Sequence, residues 1–301
     1  MPSWPEVVNE IRATGSAHDV VRRKYLAALS EVTGRNTIIY YSGWLQKSEI
    51  AGLLSGFEVN DSDKHGFMAT VHKLDKARGL DLVLHTPGGE MAATESIVDY
   101  LRAMFGANIR VIVPQLAMSA GTMIALAANE IVMGRHSNLG PIDPQLQGLP
   151  AHGVIEEFTR AATEIAADPS KVAIWQPIIA KYPPTFIGEC QNAIAWANDL
   201  VQRWLETGMF AKERKAAAKA LKVVEELGSH AVTKSHARHI SADAVKKLGV
   251  AVKSLEGDQK LQDAVLSLHH ATIQTLQETG AIKIIENQSG IASIQSIRSG
   301  S

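Results

Sequence analysis

Residues 80–105 read LDLVLHTPGGEMAATESIVDYLRAMF, and this stretch decides the fold. Leu80–Leu84 is a near-continuous apolar run, as expected of a strand covered on both faces. Gly88 and Gly89 interrupt it, and Ala93, Ile97 and Leu101 then form one stripe at helical spacing. The pattern repeats at once: IRVIVP (109–114) reads as a strand, SAGTMIALAANEI (119–131) as a helix and IVMG (131–134) as a short strand. Strand–helix alternation of this kind predicts an α/β protein with right-handed βαβ units on a parallel sheet.

Upstream, TIIYYSGWL (37–45) is strand-like, and 5–31 is an amphipathic helix broken at Gly15-Ser16 and closed by Gly34. Downstream, 152–167 and 184–207 read as long helices around a proline-bearing stretch (169–184), and 211–228 as a charged helix with a solvated face. ISADAVKKLGVAV (240–252) is a helix capped by Ser241, stopped at Gly249 and leading to a strand. A last amphipathic helix covers 258–279, and the Ser/Gly-rich 286–301 reads as a mobile tail. The expected organisation is an N-terminal helical arm (1–34), a central domain (35–253), and a C-terminal helix with flexible tail (254–301).

Composition narrows the function. The chain has 301 residues, 46% hydrophobic and 20% charged, with a net charge of −1, which disfavours nucleic acid or an anionic membrane as the main partner. The single Cys190 excludes an intrachain disulfide and fits a reducing compartment. No secretory leader and no apolar run long enough for a transmembrane helix is found, so the cytoplasm is expected.

Two loops fall beyond the carboxyl ends of neighbouring strands, where open parallel sheets bind ligands. One is His85-Thr86-Pro87-Gly88-Gly89; the other runs from Pro114 to Ser119. Ser119 is placed to act as a nucleophile, with amides of Gly88 or Gly89 and of Ala120 stabilising an oxyanion beside it. Plainer readings exist for each part: a serine at a helix start caps it, and Gly-Gly after a strand makes a turn. Neither a GxSxG elbow nor a GxxxxGK phosphate loop is present.

LDLVLHTPGGEMAATESI (80–97), VPQLAMSAGTMIALAANEIVMGRHSNLGPIDPQ (113–145) and the late ISADAVKKLGVAV, in this order, resemble the Clp-fold serine peptidases. That group includes the Clp protease subunit and signal peptide peptidase A and is related to the crotonases. The likeness is greatest to the serine dehydrogenase proteinase subfamily. It implies a Clp/crotonase-like fold of repeated β-β-α and βαβ units with helical N- and C-terminal additions. It also implies that Ser119 is the catalytic serine of a peptidase acting on unfolded or short polypeptides, without cofactor or metal. Relatives form rings or stacked dimers, so a homo-oligomer is expected, with the apolar stripes of 5–31 and 258–279 as swapped arms.

The resemblance offers two activation schemes. A Clp-type triad would place its histidine within Leu139–Gln145 and its aspartate at Ala237, and neither slot holds the required side chain. The signal peptide peptidase scheme pairs serine with a lysine that must be buried to lose its proton. Lys181, flanked by Ile178, Ile179, Tyr182 and Phe186, is the first candidate for this Ser-Lys dyad and Lys171 the second. His236 or His239 is a further candidate base, because that segment lies near the serine in the family fold. His85 either contacts substrate or fills its turn. Asp143 and Gln145 fall in the cleft segment with no assigned role. A crotonase-like acyl-CoA enzyme would use Glu90 or Glu95, and a non-catalytic scaffold would use Ser119 only as a cap.

Overall fold

The computed structural model describes residues 4–13, 18–229 and 235–297. The strands are β1 (Asn36–Ser42), β2 (Leu80–His85), β3 (Ile109–Val113), β4 (Leu116–Ala117), β5 (Glu130–Met133), β6 (Asn138–Leu139), β7 (Gln145–Leu146), β8 (Leu149–Pro150), β9 (Ile240–Ser241), β10 (Val252–Ser254), β11 (Ala281–Asn287) and β12 (Ala292–Ser296). The main sheet has the order β10-β5-β3-β2-β1-β11-β12. From β10 to β1 the pairing is parallel, with Leu82 between Ile38 and Val111, while β11 and β12 are antiparallel additions. The largely apolar runs of β1 and β2 follow from burial on both faces, and the one carboxylate among them, Asp81, is paired with Arg35 and Arg110.

The helices are α1 (Trp4–Ala13), α2 (His18–Thr33), α3 (Ser48–Ala51), α4 (Ser62–Val71), α5 (Met91–Phe105), α6 (Ala120–Leu126), α7 (Ala151–Ala167), α8 (Val172–Ile179), α9 (Phe186–Thr207), α10 (Ala216–Gly228), α11 (Ala242–Lys247) and α12 (Gln259–Glu278). They divide between two cores. Tyr40, Leu82, Leu84 and Val111 face α5, α6, α9 and α10, whereas Ile39, Tyr41, Val83 and Ile112 face α2 and α12. Alternation along each strand produces this division, and the site lies on the first face.

Three expectations are corrected. The helix expected over 119–131 stops at Leu126, because Asn129 N–H turns back to Ile109 O (2.9 Å) and starts β5. The stretch from 286 to 296, expected as a mobile tail, is the end of β11 and then β12. The apolar β-branched run of β11 pairs along β1, and Asn287 Oδ1 accepts from Ser289 and Ile291 N–H to close the hairpin. The stripes expected to reach another subunit are filled within the chain: Leu26 and Leu29 of α2 pack with Leu261, Val265 and Leu268 of α12. Each such leucine contributes about 1.5–3 kcal/mol by burial. The Gly15-Ser16 break lies outside the described residues. Among the described residues, no helix is long and apolar enough to cross a membrane.

Candidate active site

A second sheet of three short strands, in the order β4-β6-β9, assembles the site. β4 runs parallel to β6, and β9 antiparallel to it, so Ala117, Leu139 and Ile240 lie side by side. The chain leaving β4, the chain leaving β6 and the chain entering β9 therefore share one edge. Ser119 comes two residues after β4, Asp143 four after β6 and His236 four before β9.

Ser119 opens α6 with φ +50° and ψ −116°, and its side chain makes no capping hydrogen bond. A capping serine takes extended dihedrals and accepts from a helix amide. Here a residue with a Cβ is held at positive φ instead, at a cost of order 1–3 kcal/mol that the surroundings must impose. Thr122 supplies part of that restraint: its hydroxyl accepts from Gly140 N–H (2.8 Å) and has Ala117 O (2.8 Å) and Gly140 O (3.0 Å) as acceptors for its one proton. Small residues do the rest. A Cβ on Gly88 (φ +102°) would come 2.6 Å from Ser119 Cβ, and one on Gly121 would come 2.5 Å from the Thr86 methyl. The Gly88-Gly89 turn thus lies directly against the serine.

Ser119, Gly88, Gly89, Ala120, Asp143 and His236 all line one cavity of about 820 Å³. Its apolar wall includes Met91, Met123, Ile142 and Trp196. Gly88 N–H donates to Thr86 Oγ1 at 3.2 Å, which makes Gly89 and Ala120 the better-placed amides. His236 Nδ1 lies 2.8 Å from Asp143 Oδ1; the carboxylate is fully buried, and the imidazole is 30% exposed. With Nδ1 turned to a carboxylate, the imidazole keeps Nε2 for a second partner. Gln145 Nε2 reaches Asp143 Oδ2 at 3.4 Å.

Neither of the two candidate lysines lines this cavity. Lys181 is exposed in the turn after α8, and Lys171 pairs with Glu164 at 3.3 Å. The apolar flanks of Lys181 misled: Tyr182 packs against Phe158 and Phe186, leaving the lysine outside. The burial that a Ser-Lys dyad needs is missing at both positions. His239 is exposed and off the cavity. Glu95, one crotonase-type candidate, is engaged by Trp196 Nε1 and Arg203, each at 3.0 Å. Glu90 stands at the cavity lip. His85 turns to the opposite face of the sheet, among Tyr41, Trp44 and His269. Cys190 is buried and does not line the cavity, and burial pushes its thiol up. Among the described residues, no group of three or more His, Cys, Asp or Glu is arranged to hold a metal.

Sequence reasoning missed the 58–60 segment, whose Val59 bridges to Gly89. Its signal is the short alternation in FEVND (57–61), bounded by Gly56.

Comparison with known proteins agrees with this architecture. The uncharacterized protein MJ0137 of Methanocaldococcus jannaschii is 36% identical over 132 residues, 44% of this chain and 44% of the relative. The uncharacterized protein MJ1495 of the same organism is 43% identical over 103 residues, 32% of this chain and 35% of the relative. The aligned part thus spans less than half the length of either relative. The family described as ClpP-like SDH-type serine proteinase matches residues 52–285, which hold β2 to β10 and every residue lining the cavity. With its strained serine set against a glycine turn on this α/β scaffold, the chain belongs to the ClpP-like SDH-type serine proteinases.

Proposed function

We propose that the chain hydrolyses peptide bonds through Ser119, with His236 as general base and Asp143 as the group that orients it. The carrying observation is the 2.8 Å His236–Asp143 contact in the cavity that also holds a serine strained and free of any capping bond. Ser119 Oγ attacks the scissile carbonyl carbon, and its proton passes to His236 Nε2. Negative charge moves to the carbonyl oxygen, where amides of Gly89, or Gly88, and Ala120 receive it. The tetrahedral intermediate collapses as His236 protonates the leaving amine. Water then attacks the acyl-enzyme, giving its proton to His236, and Ser119 is regenerated. Asp143 fixes the tautomer with Nδ1–H toward itself and stabilises the transient imidazolium.

His236 takes the place that the sequence assigned to Lys181. Relative to the Clp triad slots, the two side-chain types have changed segments. The carboxylate stands in Leu139–Gln145, and the imidazole sits beside Ala237. The cavity is open and lined largely by apolar side chains, which suits an extended or unfolded polypeptide. The test is covalent labelling with a fluorophosphonate. Wild type is expected to take up one label per chain and Ser119→Ala none; equal labelling of the two would overturn the assignment.

A further inference from the structure

Among the described residues, the buried lysine is Lys283 on β11, with 1% of its side chain exposed. Its Nζ donates to both carboxylate oxygens of Asp63 (2.8 and 3.0 Å) and to Glu58 O (2.6 Å). All three donors of the ammonium are thus committed in fixed directions. Asp63, equally buried, also accepts from Tyr40 Oη–H (2.7 Å) and Asn60 N–H (3.0 Å). Burial pushes the Lys283 ammonium pKa down, against the opposing pull of Asp63.

This network grips the chain on both sides of Val59, through Glu58 O and Asn60 N–H. Val59 in turn holds the glycine turn: its N–H donates to Gly88 O (2.8 Å), and its carbonyl accepts from Glu90 N–H (2.8 Å). The approach is so close that a Cβ on Gly89 would fall 2.3 Å from Val59 N and O. On its other side the turn abuts Ser119 so closely that a Cβ added to Gly88 would fall 2.6 Å from Ser119 Cβ. A continuous path of contacts therefore runs from Lys283 and Asp63, through 58–60, to the Gly88-Gly89 turn and the serine.

We propose that Lys283 and Asp63 are positioning residues that set the Gly88-Gly89 turn against Ser119 and so aim its amide at the developing oxyanion. This rests on the reading of Ser119 as nucleophile. A buried ion pair is a poor way to gain stability alone, since an apolar pair of similar volume often serves as well. What charge adds is short, directional hydrogen bonds. An ammonium bonded at once to a carboxylate and a carbonyl locks the backbone that an oxyanion amide depends on.

The test uses the full chain with the double substitution Lys283→Met/Asp63→Asn, which removes both charges together, and with Tyr40→Phe. The fluorophosphonate labelling rate constant per active site and the final labelled fraction are measured separately, with kcat and KM on a small peptide ester. The double variant is expected to melt cooperatively and to label to the wild-type fraction. Its rate constant and kcat fall by about 10–100-fold, with KM within about twofold, as for a misplaced transition-state group. Tyr40→Phe, which removes one donor to Asp63, slows labelling by about threefold. A purely structural role would lower the labelled fraction or the melting temperature and leave the rate constant unchanged, and that result overturns the proposal. If the double variant does not fold, a wild-type rate constant in Tyr40→Phe overturns it instead. Label on Ser119→Ala would overturn the nucleophile, whereas Ser119-dependent labelling at wild-type rate in the double variant would overturn only the positioning role.

Discussion

Two histidines lie near the carboxyl edge of the sheet, on opposite faces, in opposite circumstances. His236 borders the open cavity, is partly exposed, and has a buried carboxylate 2.8 Å from Nδ1. His85 ends β2 and is fully buried, its ring 4.4 Å from Trp44, 5.4 Å from Tyr41 and 5.6 Å from His269. Leu116 N–H reaches its Nδ1 at 3.4 Å, and its Nε2 has no hydrogen-bond partner among the described residues. Burial pushes the His85 pKa down to about 3. A base in proton transfer must be reachable and must be supported once charged. The His236 environment meets both conditions and the His85 environment meets neither, so partner and burial, rather than nearness to the glycine turn, separate the proposed base from a packing residue.

The largest effect that can break this comparison is at the front face. Loss of the proton acceptor in His236→Ala is expected to lower kcat/KM by about 10³–10⁴-fold. Asp143→Asn, which keeps shape but lets an amide donate to Nδ1 and so selects the wrong tautomer, is expected to cost about 10²–10⁴-fold. Both are measured on a peptide ester, with circular dichroism confirming the fold. Activity within about threefold of wild type in either variant would remove that residue from the mechanism.

The back face makes a prediction of stability, not rate. Above pH 6.5 His85 is neutral in folded and unfolded chains alike. Below it the unfolded chain takes up a proton that the folded chain refuses until about pH 3, so stability is lost as pH falls through that window. Between pH 7 and 4.5 this single group costs about 3 kcal/mol. His269, also held well below its ordinary value by burial, acts in the same direction. Urea unfolding at the two pH values is expected to show a smaller acid loss in His85→Gln than in wild type. An identical loss would mean that His85 is protonated in the folded protein and that the two faces do not differ as described.

The front of the sheet could be read from sequence, and the reasons are local. Leu80–Leu84, Gly88-Gly89 and the small-residue run around Ser119 each carry their own conformational signal, and their order implies the βαβ core. What could not be read depends on contacts between distant segments. Asp143 and His236 are 93 positions apart and meet because β4, β6 and β9 pair, strands only two residues long that leave no periodic trace. Lys283 sits in AIKII, an apolar run that looks like any buried strand, and its partner Asp63 opens a helix 220 positions earlier. Lys181 shows the converse error. Its apolar neighbours are real, but they bury one another and not the lysine.

The smallest expected effect sharpens that last point. Lys181 is exposed, and Lys171 makes a surface pair with Glu164, its side chain 40% exposed. An exposed pair of this kind adds little to stability, as does a surface side chain away from caps and cores. Lys181→Ala and Lys171→Ala are therefore expected to keep kcat/KM within about twofold of wild type, since neither removes a proton acceptor from the cavity. The measurement that matters is the fluorophosphonate labelling rate of each variant, because it reports on Ser119 activation without substrate binding. A fall of about tenfold or more in Lys181→Ala, beside a normal rate in His236→Ala, would hand proton transfer back to lysine. It would also require α8 and the turn after it to move onto the cavity before catalysis. Unchanged labelling in both lysine variants, with loss in His236→Ala, leaves the imidazole as the base.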